Sequence, residues 1–203
     1  GGHTAVIEQI IGAQPERNHK ILLTDIFRRA DYQSICERFA GLRVSIECAP
    51  KTTLLDKLKW LRGRLVSLGP SRTFLFNHHQ DAVAIAVTQP KLNSEVIFYH
   101  HADHQLCLGV FLTSVVHVDP HNLGFFNCRN KLGIDHNIYW PLAFKDSGPR
   151  PSSLLFLSEG MLRTCSSGNS GKFERHYRYS YPEEVPNLLK VTGGVHIHVG
   201  ALS

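Results

Sequence analysis

Hydrophobic residues recur along the chain with two alternating periods. Spacings of three and four mark Thr4 to about Ala13, Tyr32–Ala40, Thr52–Leu68, Asp81–Thr88, a stretch near Leu106–Thr113 and Asn122–Leu132 as helices. Between them lie short apolar or β-branched runs, Lys20–Ile26, Leu42–Cys48, Arg72–Asn77, Glu95–Tyr99, Val115–Asp119 and Ile138–Phe144, which read as strands. Thr73-Phe74-Leu75-Phe76 and Val96-Ile97-Phe98-Tyr99 are continuously apolar, as expected of parallel strands covered on both faces. Strand, crossover helix and strand at spacings of about 20 residues predict an α/β fold with a doubly wound, mostly parallel Rossmann-like sheet.

Residues 1–144 make up that first domain. Lys145–Ser153 (KDSGPRPSS) has the Gly, Pro and Ser content of a linker, which sets a boundary over residues 145–152. Residues 153–203 then predict a helix at Ser153–Glu159, a strand at Leu162–Cys165, the polar loop SSGNSGK, a helix at Pro182–Val191 and a strand at Val195–Val199. Two strands and two helices bury too little for a domain, so this tail either packs on the first domain or is the incomplete beginning of a second α/β domain. At the other end, Gly1-Gly2-His3-Thr4 directly before a helix has the pattern of a strand-to-helix loop. The strand expected ahead of it is missing.

Composition narrows the class. The chain has 203 residues, 42% apolar and 19% charged, which leaves room for a sizeable core. Its longest unbroken apolar run, Ala82–Val87, falls far short of the ~18 residues of a membrane span. Nothing in the opening residues argues for secretion. Five widely spaced cysteines without a CxxC pair read as free thiols, so a cytoplasmic location is expected. A net charge of +5 favours anionic ligands such as nucleotides or phosphates. No nucleic-acid recognition module accompanies that charge, so no nucleic-acid partner is expected.

The candidate chemistry lies in histidine, of which there are 13. In open α/β sheets, ligands bind outside the carboxyl ends of the strands. Three consecutive predicted strands end in histidine-rich turns: His78-His79-Gln80-Asp81, His100-His101-Ala102-Asp103-His104 and Asp119-Pro120-His121. With Gly2 and His3 beside the first strand, four segments should converge on one edge. His101 is the candidate catalytic base, oriented by Asp103, and His79 lines the same crevice. Gly2, His3, His78, His104, Asp119 and His121 would line that crevice and position the acceptor. His117, inside a strand, reads as structural, and His196 and His198 share a face as any strand requires.

HHADH fits two chemistries. One is metal hydrolysis in the manner of the metallo-β-lactamases, whose HxHxDH would match at His101, Asp103 and His104 but finds Tyr99 at its first histidine. The other is general-base activation of an acceptor with no metal, and no metal ligands are assigned. A third reading is a non-catalytic α/β binding module. In SSGNSGK, Ser166, Ser167 and Gly168 could form an anion-binding nest with Lys172 meeting a phosphate, although the P-loop spacing is lacking.

Across GGHT, NHHQD, YHHADHQLCLG and TCSSGNSGKF leading to TGGVHIHVG, the chain resembles bacterial glycosyltransferases of the GT-B type. The group meant is that of the protein O-GlcNAc transferases and cytoplasmic N-glucosyltransferases. The resemblance implies an acceptor-side N-terminal domain over residues 1–144 and the opening of a donor-side domain from about Ser153. It implies metal-independent transfer from a nucleotide sugar to a protein or glycan acceptor, with no cofactor beyond that co-substrate. Ser166, Ser167, Gly168 and Lys172 would then hold the donor diphosphate. The remaining donor-binding motifs of such enzymes are not evident, so the remainder of a longer parent polypeptide is expected to complete the fold and the activity.

Overall fold

The computed structural model describes residues 2–89, 92–101, 107–141, 148–149, 162–168 and 180–200. The chain divides into two compact units, Gly1–Lys145 and Asp146–Ser203. It is a mixed α/β protein whose described strands pair in parallel within small sheets. No helix among the described residues is long and apolar enough to cross a membrane.

In the first unit, α1 (Gly2–Gly12) leads to β1 (His19–Leu23), α2 (Tyr32–Phe39), β2 (Val44–Cys48) and α3 (Leu54–Leu68). Then follow β3 (Arg72–Leu75), α4 (Ala82–Ala86), β4 (Glu95–Tyr99), β5 (Val116–Asp119), α5 (Asn122–Leu132) and the two-residue β6 (Ile138–Tyr139). Polar side chains start the helices. Asp31 accepts from Ser34 N at 3.1 Å and Asp81 from Ala84 N at 2.9 Å. Thr53 accepts from Asp56 N at 3.2 Å while donating to the Asp56 carboxylate at 2.8 Å.

The parallel strands form two sheets: β1–β2, and β3–β4–β5–β6 in that order. The second sheet buries a different cluster on each face. Val6 and Ile10 of α1 pack with Ile97, Tyr99, Val116 and Val118. On the other face Leu61 and Leu65 of α3, Val83 and Val87 at α4 and Cys128 of α5 pack with Leu75, Val96 and Phe98. Side-chain alternation along each strand separates these sets. The two sheets are tied by Thr24, just past β1, whose hydroxyl donates to Asp81 at 2.5 Å, and by α3, whose buried Lys57 donates to the carbonyls of Thr24 and Asp25. Between β1 and β3 lies a cleft of about 800 Å³ lined by both strands and by Ile7, Ile10, Leu61 and Leu65.

Two elements differ from the periodicity. The helix expected near Leu106–Thr113 is replaced, over the described residues 107–115, by turns. Gly109 explains them: it has φ +105°, and a Cβ there would sit 2.7 Å from both Phe98 and Ile85 side-chain carbons. The chain thus crosses against the core in a conformation that breaks a helix. The strand expected at Ile138–Phe144 is described only as β6.

The second unit pairs β7 (Arg163–Ser167) with β8 (Val195–Val199) in parallel, joined through α6 (Tyr181–Thr192). Ser166 and Ser167 therefore belong to a strand, not to the polar loop expected there. The expected helix at Ser153–Glu159 lies outside the described residues.

Candidate functional site

Because β3, β4 and β5 run parallel, their carboxyl ends share one edge, and the turns that follow carry histidine. Gly2, at the start of α1, touches this edge: a Cβ added there would lie 2.7 Å from His101 Nε2. The absent side chain makes room for the imidazole. The His3 and His101 rings are 4.5 Å apart, centroid to centroid, at 62°, and those of His101 and His121 are 5.5 Å apart. Three of the four expected segments thus place rings in mutual contact. The His78 ring lies tilted at 35° against that of His79, 4.0 Å away, and meets Phe27 at 4.9 Å, while the His79 carbonyl accepts from Leu108 N at 2.9 Å. Asp103, His104 and Lys172 lie outside the described residues.

His3 is the perturbed group at this edge. Burial, then the neighbouring His101 and His78, bring its pKa down to about 4. Its Nε2 is buried without a hydrogen-bond partner among the described residues. A neutral, desolvated imidazole is suited to accepting a proton or a substrate hydrogen bond. Below it Tyr99, whose hydroxyl burial pushes up to about 12, runs parallel to the His101 ring at 6.5 Å and meets Trp140 edge-on at 6.3 Å. Trp140 remains 41% exposed, so an aromatic surface adjoins the histidines.

Asp119 departs from its expected place at the crevice: it is fully buried. Strand parity is the reason. His117 and Asp119 share the face of β5 opposite Val116 and Val118, and His100 continues the Phe98 face of β4 while His101 continues the Tyr99 face. Asp119 Oδ1 lies 2.8 Å from His100 Nδ1, and Oδ2 lies 3.3 Å from His117 Nε2. Asn137 Nδ2 donates to Oδ2 at 2.6 Å, and Arg129 in turn donates to Asn137 Oδ1 at 2.8 Å. Burial would push the Asp119 carboxyl up, but the bonds from His100, His117 and Asn137 outweigh it and hold the group well below the usual carboxylate range. Cys128 Sγ completes the cluster at 3.7 Å from His100 Nδ1, 3.8 Å from His117 Nε2 and 3.7 Å from Asp119 Oδ1. Sequence reasoning had His100 only within the HHADH turn, without a role of its own, left Cys128 among the free thiols and gave His117 no partner. The alternation in VHVD was the available signal for His117 and Asp119; none pointed to Cys128.

In the second unit, Ser166 Oγ lies 3.0 Å from His196 Nε2 and 2.8 Å from His198 Nδ1, and also bonds the Tyr181 hydroxyl. His198 Nε2 is 2.9 Å from the Gly168 carbonyl, and Gly168 N donates to the Val199 carbonyl at 3.0 Å. These groups are committed to one another and to the β7–β8 pairing rather than converging as the expected anion nest, and Ser167 is exposed on β7.

No family model, no curated protein and no solved structure matches this chain.

Proposed function

We propose that this chain is the acceptor-side part of a glycosyltransferase, working at the carboxyl edge of β3–β5 without a metal in the chemical step. The contact of His3, His101 and His121 rings from three separate segments carries this reading. It is supported by the GT-B-like motifs, by the net charge of +5, which favours a diphosphate-bearing donor, and by the half-exposed Trp140 nearby, an aromatic surface on which a sugar ring can lie.

In this mechanism the acceptor hydroxyl or amide gives its proton to an imidazole at the crevice, His101 being the base. The freed lone pair forms the bond to the anomeric carbon as the bond from that carbon to the diphosphate oxygen breaks. The nucleoside diphosphate leaves with the electron pair. His3, kept neutral by its surroundings, accepts a hydrogen bond and positions acceptor or sugar, with His78, His79 and His121 lining the approach. Residues 153–203 begin the donor side.

The finer fold reading belongs to the same proposal. In this reading sheets β1–β2 and β3–β6 are two halves of one doubly wound sheet, separated by the cleft of about 800 Å³ between β1 and β3.

The test is transfer of labelled sugar from a panel of nucleotide sugars by the polypeptide that carries this sequence. His101→Ala lowers kcat by about 10²-fold or more, the cost of losing a general base. Unaltered turnover removes His101 from that role; no transfer or donor hydrolysis with any nucleotide sugar removes the reading.

A further inference from the structure

We infer that His100, His117, Asp119 and Cys128 form a structural zinc site buried beneath the candidate crevice. Four side chains from β5, α5 and the end of β4 direct one nitrogen, nitrogen, oxygen and sulfur atom at a common point, all within 4.8 Å of one another. Each is at least nine-tenths buried. Tetrahedral zinc, at about 2.0–2.1 Å from nitrogen or oxygen and about 2.3 Å from sulfur, sets its ligand atoms about 3.3–3.6 Å apart. With Asp119 ligating through Oδ1, the separations of 3.7, 3.8 and 3.7 Å from Cys128 Sγ to His100 Nδ1, His117 Nε2 and Asp119 Oδ1 lie close to that tetrahedron. The hydrogen-bonded pair His100 Nδ1 and Asp119 Oδ1, at 2.8 Å, must open by about half an ångström, and every other pair lies within 4.8 Å.

Charge and surroundings favour the same ion. Asp119 is a buried carboxylate, and Arg129, the fixed cation along its network, stops one amide away on Asn137. A divalent ion with this carboxylate and a thiolate is neutral, which removes the cost of an isolated buried charge. Asn137, gripping Asp119 Oδ2 and itself held by Arg129, supplies the outer support that ligating carboxylates require. The donor set of two imidazoles, one thiolate and one carboxylate selects zinc or a similar borderline ion over magnesium or calcium. With four protein ligands the site is closed, so the ion is structural and joins β4, β5 and α5 rather than activating water. On binding, Cys128 releases its proton to solvent. The protons that His100 Nδ1 and His117 Nε2 direct at Asp119 move to the opposite ring nitrogens, so one proton leaves per ion at a pH where both rings are neutral.

The chain purified without a metal-binding tag from zinc-supplemented cells should contain stoichiometric zinc. Cys128→Ser and Asp119→Asn should each lower that content by about tenfold or more, in keeping with the loss of one ligand. Cobalt substituted into the wild-type chain should give the thiolate charge-transfer band of a tetrahedral site. Cys36→Ser, Cys48→Ser and Cys165→Ser should leave it in place. Where Cys128→Ser fails to fold, the wild-type cobalt spectrum decides, since a chain without a metal-thiolate centre gives no such band. Metal-free wild-type protein with no cobalt band overturns the proposal. So does metal retained undiminished in a folded Cys128→Ser chain, which would put the ion elsewhere.

Discussion

At the scale of single residues, two buried groups set measurable properties. His3 is held at about 4 by burial beside His101 and His78, against an ordinary value near 6.5 in the unfolded chain. Between those values the unfolded chain binds a proton that the folded chain refuses. The contribution of His3 to stability is therefore complete above about pH 6.5, shrinks as pH falls through this window and is constant again below about pH 4. Urea midpoints compared between wild type and His3→Phe should converge or cross as pH is lowered from about 7.5 to about 4.5, the wild type losing more. A constant difference across that range would show that His3 titrates normally. Lys57, 1% exposed, places its ammonium on the Thr24 and Asp25 carbonyls. Lys57→Met keeps the apolar stem but strands two buried acceptors, and should cost about 1–3 kcal/mol by urea unfolding. The sequence disguises this lysine as part of an exposed basic face on a long helix. Only the turn after β1, which the pattern does not reveal, brings carbonyls to it.

At the scale of elements, what was legible followed from periodicity and caps. β4, α5 and β8 fall where the pattern puts them, since continuous apolar runs and a Gly stop at Gly133 leave little choice. The crossover after β4 was misread because Leu106, Val110 and Leu112 mimic helical spacing, while the φ of Gly109, set by its approach to Phe98, is a tertiary fact. Parity was the other lapse. Residues following a strand were grouped by chain proximity, whereas alternation sends His101 toward α1 and His100 toward α5. The convergence of Gly2, His3, His101 and His121 could be anticipated because parallel strands share a carboxyl edge. The contact of Cys128 with His100 depends on how α5 lies on β5, which no local pattern encodes.

At the scale of the whole first unit, the central issue is the split between β1–β2 and β3–β6. Among the described residues β4 is bonded on both sides, but β1 and β3 each pair on one side only. Amides in residues 19–23 and 72–75 that face the cleft should therefore exchange with solvent markedly faster than those of residues 96–98. Equal protection in all three strands would mean that the cleft is closed in solution. The apolar residues lining it, Ile7, Ile10, Leu61 and Leu65 among them, follow from amphipathic helices that cover a sheet interior on both faces. The split itself could not be read from the pattern, because β1 and β3 have the same apolar character they would have within one continuous sheet.

The peptide joining His100 to His101 gives this arrangement its final consequence. One imidazole closes a sealed polar knot and its chain neighbour stands in the open crevice, with a single planar linkage between them. A shift of the knot is passed through that linkage to the backbone that carries the neighbouring ring. Substitutions at buried Asn137, or at Arg129 behind it, should accordingly register as altered reactivity in the crevice before they register as unfolding.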